Sequence, residues 1–354
     1  MPLYSTACPL PLSRKIFRHR ASAPFSPANL TGLSLWLKAD AGVTTGIGTP
    51  FISSVIISGA GSTTSNGTYT RTSGGYTTFT KSGGNYIAYG YNSTADSDVW
   101  YISDATLNYV PTYYANDEGA ISNWQIDQGS ANAPSSTTSN TTPTIVTNWA
   151  DQSGNGRDAS PVDVSPTLNS SDLNSKPTIS LSSVAGGTNK SLQIFGNPMG
   201  ASGATAFVVN YVDSGVFGED ANGALLGNFG SASDGSHWPY GFTNSVYDSF
   251  ATDTRKDDLG LPTGITDWNI YSVYSQDNDW KLFCNGTEFY SDSSNVYSNA
   301  VANSTSLYIG MQNNADSDQI FKGKVAEVVV YNRVLTTQER QQVEAYLNAK
   351  YAIY

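Results

Sequence analysis

The feature that most constrains this chain is its punctuation. From Pro177 to Asn332, apolar runs of strand length recur and each is closed within a few residues by Gly, Asn, Asp or Ser. They are "PTISL" from Pro177, "TAFVVNYV" from Thr205, "ALLGNF" from Ala224, "WNIYSVYS" from Trp268, "WKLFCNGTEFY" from Trp280, "SLYIGM" from Ser306 and "KVAEVVVYN" from Lys324. Asn285-Gly286 lies between two alternating halves of one run, the strongest local signal for a two-residue hairpin, because both turn positions need positive φ. Short strands joined by tight turns pair antiparallel and leave no room for crossover helices. Leu33, Leu35 and Leu37 add an earlier run with period two. With 13% charged residues, 33 glycines and 22 tyrosines in 354 residues, the composition suits strands and turns over helices with charged faces. The expectation is an all-β chain built on a two-sheet antiparallel jelly-roll sandwich.

One segment breaks the pattern. "FKGKVAEVVVYNRVLTTQERQQVEAYL", Phe321 to Leu347, passes from strand to helix: Thr336 and Glu339 fit a capping box, and Val343, Tyr346, Leu347 and Tyr351 continue a stripe at three- and four-residue spacing. A short C-terminal helix is predicted, covering an edge or end of the sandwich.

The order "LSLWLKADAGV", "WADQSGNGRDA", "WNIYSVYS", "LFCNGTEF", "LYIGM" and the closing strand-helix segment resembles the laminin-G-like, concanavalin-A-like lectin/glucanase superfamily, in the forms found in phage virion and bacterial surface proteins. The resemblance covers Leu30 to Gly42 and Asn148 to Tyr351. It implies the sandwich fold, a structural closing helix, and in some members a calcium ion near the ligand rim.

Where that family has a short connection, this chain carries a domain's worth of sequence. "GTYTRTSGGYTTFTKSGGNYIAYGYN" alternates strands with Gly-Gly turns, and "VWYISDA" adds another strand. The flanks "TTGIGTP" and "GSANAPSSTTSNTTPT" read as linkers. The predicted organisation is an extended arm over 1–28, the sandwich over 29–45 and 148–354, and a small inserted β domain over 46–147.

Chemistry leaves few marks. A sandwich-type glycosidase needs carboxylates flanking the scissile bond, about 5 Å apart in retaining enzymes, and no run of alternate acidic residues is present; Glu327 stands alone in its strand. The two histidines, His19 and His237, have no recognisable nucleophile elbow for a triad. No enzymatic activity is predicted. Two cysteines, Cys8 and Cys284, make neither a disulfide framework nor a zinc site. "DQSGNG" begins like a calcium loop, but its twelfth position is Val162 where an EF-hand requires Glu. Asp277, Asp279, Asp316 and Asp318 could supply oxygen ligands to Ca2+, or be solvated turn residues. No other cofactor is implied. Exposed aromatics beside polar groups suit sugar rings, which makes Trp238, Tyr240 and Asp234 in "DGSHWPYGF", together with Trp280, the candidate glycan contacts; core filling is the alternative for both tryptophans.

Charge divides the chain. Arg14, Lys15, Arg18, Arg20 and Lys38 all precede the first acidic residue, Asp40, so the 13 other basic residues face all 29 acidic ones. Such a body repels nucleic-acid phosphates and anionic lipid surfaces, and no apolar run is long enough to span a membrane. The Pro-rich basic arm lacks the apolar core of a secretory leader and reads as a retained segment, with Arg14, Lys15, Arg18 and Arg20 near acidic groups of a neighbouring subunit. The reading is a phage virion structural or accessory protein, a capsid decoration or tail component in an extracellular particle. Its partners would be other virion subunits, further copies of itself and glycans. The rival reading is an exported carbohydrate-binding module without catalysis.

Overall fold

The computed structural model describes residues 24–48, 51–58, 66–71, 78–82, 86–92, 97–103, 113–115, 124–126, 135–181, 190–213, 222–230, 237–240, 245–301, 306–312 and 321–354. The arm residues Arg14, Lys15, Arg18 and Arg20 lie outside them, as do Asp234, Asp316 and Asp318.

The chain is the expected antiparallel jelly-roll sandwich. A 14-stranded sheet folds back so that its two halves enclose one core. One half runs Thr287–Asp292, Asp279–Cys284, Asn269–Gln276, Ala204–Val212, Gly323–Tyr331, Lys176–Ser180 and Thr167–Leu173, with Leu33–Lys38 also paired to Gly323–Tyr331. The other runs Val43–Ile47, Thr144–Trp149, Ala159–Pro161, Leu192–Ile194, Leu307–Ile309 and Leu226–Gly227. A single pair, Ile145 with Thr167, joins the halves. The predicted hairpin forms, with Asn285 at φ 50° and Gly286 at φ 77°, the left-handed pair that its turn requires.

The longest apolar strand explains itself by being buried on both faces. In Gly323–Tyr331, Val325, Val328 and Val330 face the inner core, while Ala326, Val329 and Tyr331 join a second cluster outside. A β-bulge at Ala326, where Val209 pairs Glu327 and Asn210 pairs Val325, resets the alternation. The outer cluster is completed by Val343, Leu347 and Tyr351 of the helix Thr337–Tyr351. The helix therefore lies across the sheet's outer face as a third layer, and not on an edge or end as the sequence suggested. An amphipathic stripe states that one face is buried; it does not state against what. The capping box is present: Thr336 Oγ1 accepts from Glu339 N–H, and Glu339 Oε2 accepts from Thr336 N–H at 2.9 Å.

Among the described residues, eight strands between Phe51 and Thr141 pair only with one another, in a separate sheet. Val55, Ile57, Tyr69, Phe79, Ile87 and Ile102 are buried there, and none belongs to the sandwich clusters. The presumed linkers are partly strand. Ser135–Thr141 pairs along Phe51–Ser58, and Val43–Ile47 pairs along Thr144–Trp149, so the sandwich ladder runs out to Ile47 and resumes at Thr144. Backbone pairing needs no apolar side chain, and Thr suits a pleated strand, which is how a Ser/Thr tract hides a strand from a composition reading.

Candidate functional site

Three polar clusters organise the sandwich. In the first, the turn after Trp149 braces the opening strand. Asp151 Oδ1 accepts from Trp36 N–H at 2.9 Å, while Arg157 Nη1 and Asn155 Nδ2 donate to Ser34 O at 2.9 and 3.3 Å. Asp158 Oδ1 accepts from Asp151 N–H at 2.9 Å, and Trp149 Nε1 donates to Lys38 O at 2.8 Å. "DQSGNGRD" thus stitches two distant strands with its own side chains.

The second cluster sits beneath the helix. Glu327 is fully buried and accepts from Trp36 Nε1 at 2.6 Å, Lys350 Nζ at 2.8 Å and Tyr351 Oη at 2.9 Å. Burial, then the Glu327 charge, holds the Tyr351 hydroxyl well above its ordinary pKa. Beside it, Glu344 accepts from Ser272 Oγ at 2.8 Å and pairs with Arg340 at 2.5 Å, and the Arg340 guanidinium stacks on Phe283, 3.8 Å from the ring centroid. Burial pushes the Glu344 carboxyl up despite the arginine.

The third cluster lies inside. Asp248 accepts from Tyr271 Oη and from Phe250 N–H, and burial raises its carboxyl to about 6. Lys256, whose main chain exchanges hydrogen bonds with that of Asp248, pairs through Nζ with Asp292 at 2.6 Å and lowers that carboxyl to about 2. Asp248, Glu327 and Glu344 are buried among these partners, while Asp151, Asp158 and Asp292 are half-buried.

The residues singled out from sequence fare unequally. Trp280 is 0% exposed, donates Nε1 to Phe250 O at 3.0 Å and meets Tyr290 edge-on, so it cannot stack on a sugar; this candidate is corrected to a core residue. Trp238 and Tyr240 lie in the strand His237–Tyr240, paired with Asn222–Ala224, and not in the loop anticipated. Asp277 Oδ1 accepts from Tyr297 N–H at 2.9 Å, and Asp279 accepts from Tyr274 Oη at 3.1 Å and Gln276 Nε2 at 3.3 Å. Asp279 thus serves its own hairpin, and Asp277 ties that hairpin's turn to the segment at Tyr297. Among the described residues no group of three His, Cys, Asp or Glu side chains could hold a metal ion.

The sequence reading missed two surface depressions. One, of about 580 Å3, lies between the Leu261–Thr263 loop, the Asn285-Gly286 hairpin and Tyr354. The other, of about 520 Å3, runs along the helix between Phe25 and Tyr346. Of the first, the sequence marked only the Asn285-Gly286 turn, and Leu261 and Tyr354 join it only in the fold.

Residues 179–339 match the family model described as the concanavalin A-like lectin/glucanases superfamily, within the laminin-G type. No curated protein sequence matches the chain. Among solved structures, an arabinofuranosidase complexed with arabinofuranosyl-alpha-1,2-xylobiose is similar at 12% identity and TM-score 0.42, over 87% of this chain and 63% of that one. Domain 4 of AbnA, an extracellular arabinanase from Geobacillus stearothermophilus, is similar at 16% identity and TM-score 0.39, over 54% of this chain and 89% of that one. The botulinum neurotoxin serotype D ligand-binding domain follows at 12% and 0.38, over 56% and 48%. The chain thus spans under two thirds of the length of the arabinofuranosidase, and likenesses this faint transfer no activity.

Proposed function

We propose that the sandwich is a non-catalytic carbohydrate-binding domain, carried by a virion structural protein of a phage and anchored there by its N-terminal segment. The match of residues 179–339 to a lectin/glucanase family is the observation that carries the first half. Fold alone does not choose between binding and hydrolysis. The state of the carboxylates favours binding: Asp248, Glu327 and Glu344 are buried and bonded to neighbours, whereas a glycosidase needs an acid and a nucleophile facing an open cleft. The virion reading is supported by the arm, where Arg14, Lys15, Arg18 and Arg20 precede any acidic residue and Pro2, Pro9 and Pro11 favour an extended path. A segment of this kind gains contact area by lying across a neighbour.

One experiment separates the parts: the full chain and a variant lacking residues 2–28 are compared on an immobilised glycan array and for incorporation into particles. The expected result is glycan binding by both and incorporation of the parent alone. Incorporation of the shortened chain would overturn the anchoring role, and a parent that binds no glycan would overturn the carbohydrate role.

A further inference from the structure

Six large hydrophobic side chains are exposed among the described residues, and two of them, Leu261 at 41% and Tyr354 at 56%, line one cleft. Its volume, about 580 Å3, falls in the roughly 300–1,000 Å3 range of small-molecule sites. Phe289, packed on the sandwich core, supplies further apolar wall.

The Tyr354 wall is fixed in advance of any ligand. Asn348 Oδ1 accepts from the N–H groups of Ile353 and Tyr354, both at 2.9 Å, and Asn348 Nδ2 donates to Tyr354 O at 2.6 Å. At the hairpin, Gly286 has φ 77°, and a Cβ there would stand 3.2 Å from the Tyr354 hydroxyl, so the glycine serves both the turn and the fit of the ring.

Polar groups ring the apolar walls. Thr263 and Thr287 are exposed and present hydroxyls. Asn285 spends its carbonyl oxygen on Ile270 N–H at 2.9 Å, which leaves its amide NH2 as the donor for a guest. Glu288 stands at the rim, paired with Lys281 at 2.9 Å but with 44% of its side chain exposed. No Lys, Arg or His lines the cleft.

We propose that this cleft is a saccharide subsite selective for uncharged sugars, an inference that rests on the carbohydrate-binding reading above. A pyranose or furanose ring offers an apolar face to an aromatic wall and hydroxyls at its edge, the pairing that Tyr354, Leu261, Thr287, Asn285 and Glu288 complement. An apolar peptide would leave the hydroxyl, amide and carboxylate groups without partners, at a cost in desolvation. A sialylated, sulfated or uronic ligand would bring its negative charge to Glu288, whose partner Lys281 is already engaged at 2.9 Å and does not line the cleft, on a chain of net charge −11.

The test uses the full chain on an array of immobilised neutral and sialylated oligosaccharides, with titration calorimetry of the strongest neutral hit. Tyr354→Ala removes the ring and Thr287→Lys fills the mouth from an exposed position; thermal melting verifies that both fold. Each should weaken binding at least tenfold, while Phe195→Ala, at an exposed position outside the cleft, leaves it unchanged. Full affinity in both cleft variants overturns the cleft and leaves carbohydrate binding standing. A parent silent on every glycan overturns that underlying reading and the subsite with it. Preference for sialylated sugars overturns the charge selectivity, and capture of an apolar peptide with no sugar bound assigns the cleft to another ligand.

Discussion

Asp248 shows how far one residue's environment can depart from what its neighbours in sequence suggest. "YDSFATD" reads as a turn, yet the fold closes this carboxyl against Tyr271 and Phe250, residues of the core. Its pKa rises from 3.8 to about 6, with desolvation the largest cause and the Tyr271 bond, the Phe250 N–H and Lys256 opposing it. The native chain therefore holds a proton between pH 4 and 6 that the unfolded chain has already released. Stability falls as pH rises through that window, by roughly 3 kcal/mol for a shift of this size. Glu344 is also raised and acts in the same direction. Asp292 and Glu339, both lowered to about 2, act oppositely: their contribution is complete only above their ordinary values of 3.8 and 4.5 and is lost as pH falls toward 2. Asp248→Asn should shrink the loss of stability between pH 4 and 7, measured as the urea midpoint at each pH. An unchanged loss would place its source elsewhere. Nothing in the sequence marks this cluster, because Asp248, Lys256, Tyr271 and Asp292 meet only when three separate segments pack.

At the scale of elements, the closing helix was legible in its existence and its cap but not in its position. Its start follows from Thr336 and Glu339, local chemistry that a sequence carries in full. Its site follows from Phe207, Val209 and Ile270, which face outward on strands far away in sequence, together with Val329 of the strand just before it. Those strands are apolar on both faces, and that continuous run, unlike a strict alternation, was the overlooked sign that something must cover the outer surface. The energies differ accordingly. Leu347→Ala, which empties a fully buried site between helix and sheet, should cost about 2–5 kcal/mol, whereas Thr336→Ala should cost about 1 kcal/mol by removing one cap acceptor. Chemical denaturation of the two variants measures both, and a Thr336 variant as damaged as the Leu347 one would mean that capping, not the third layer, holds the helix. The Ser135–Thr141 strand was illegible for the opposite reason: its side chains carry no apolar pattern, and its pairing with Phe51–Ser58 spans the whole insertion.

For the whole molecule, the insertion defines the main question of architecture. The sequence reading expected it over 46–147 from a break in the order of motifs and from the Gly-Gly turns; the sandwich ladder runs out to Ile47 and resumes at Thr144. The candidate sugar contacts were less legible, since Trp280 proved to be core and the Leu261–Tyr354 cleft joins residues far apart in the chain. At the junction, Ile47 pairs with Thr144 and Gly48 N–H donates to Pro143 O at 2.9 Å, so both ends of the insertion leave the sandwich at one point of one antiparallel ladder. Two strands paired to their last residues can be closed by a two-residue turn. The eight-stranded sheet pairs only with itself and buries its own Val55, Ile57, Tyr69 and Phe79. Replacing residues 48–143 by Asn-Gly should therefore convert the junction into an ordinary hairpin and leave the sandwich folded. Its unfolding should stay cooperative and near the parent's melting temperature, because neither sandwich core loses a member by the deletion. The shortened chain should also retain whatever sugar affinity the Tyr354 cleft confers, since none of the cleft's residues lies in the insertion. A broad, noncooperative melt of the shortened chain would mean that the two sheets depend on each other for stability despite their separate pairing.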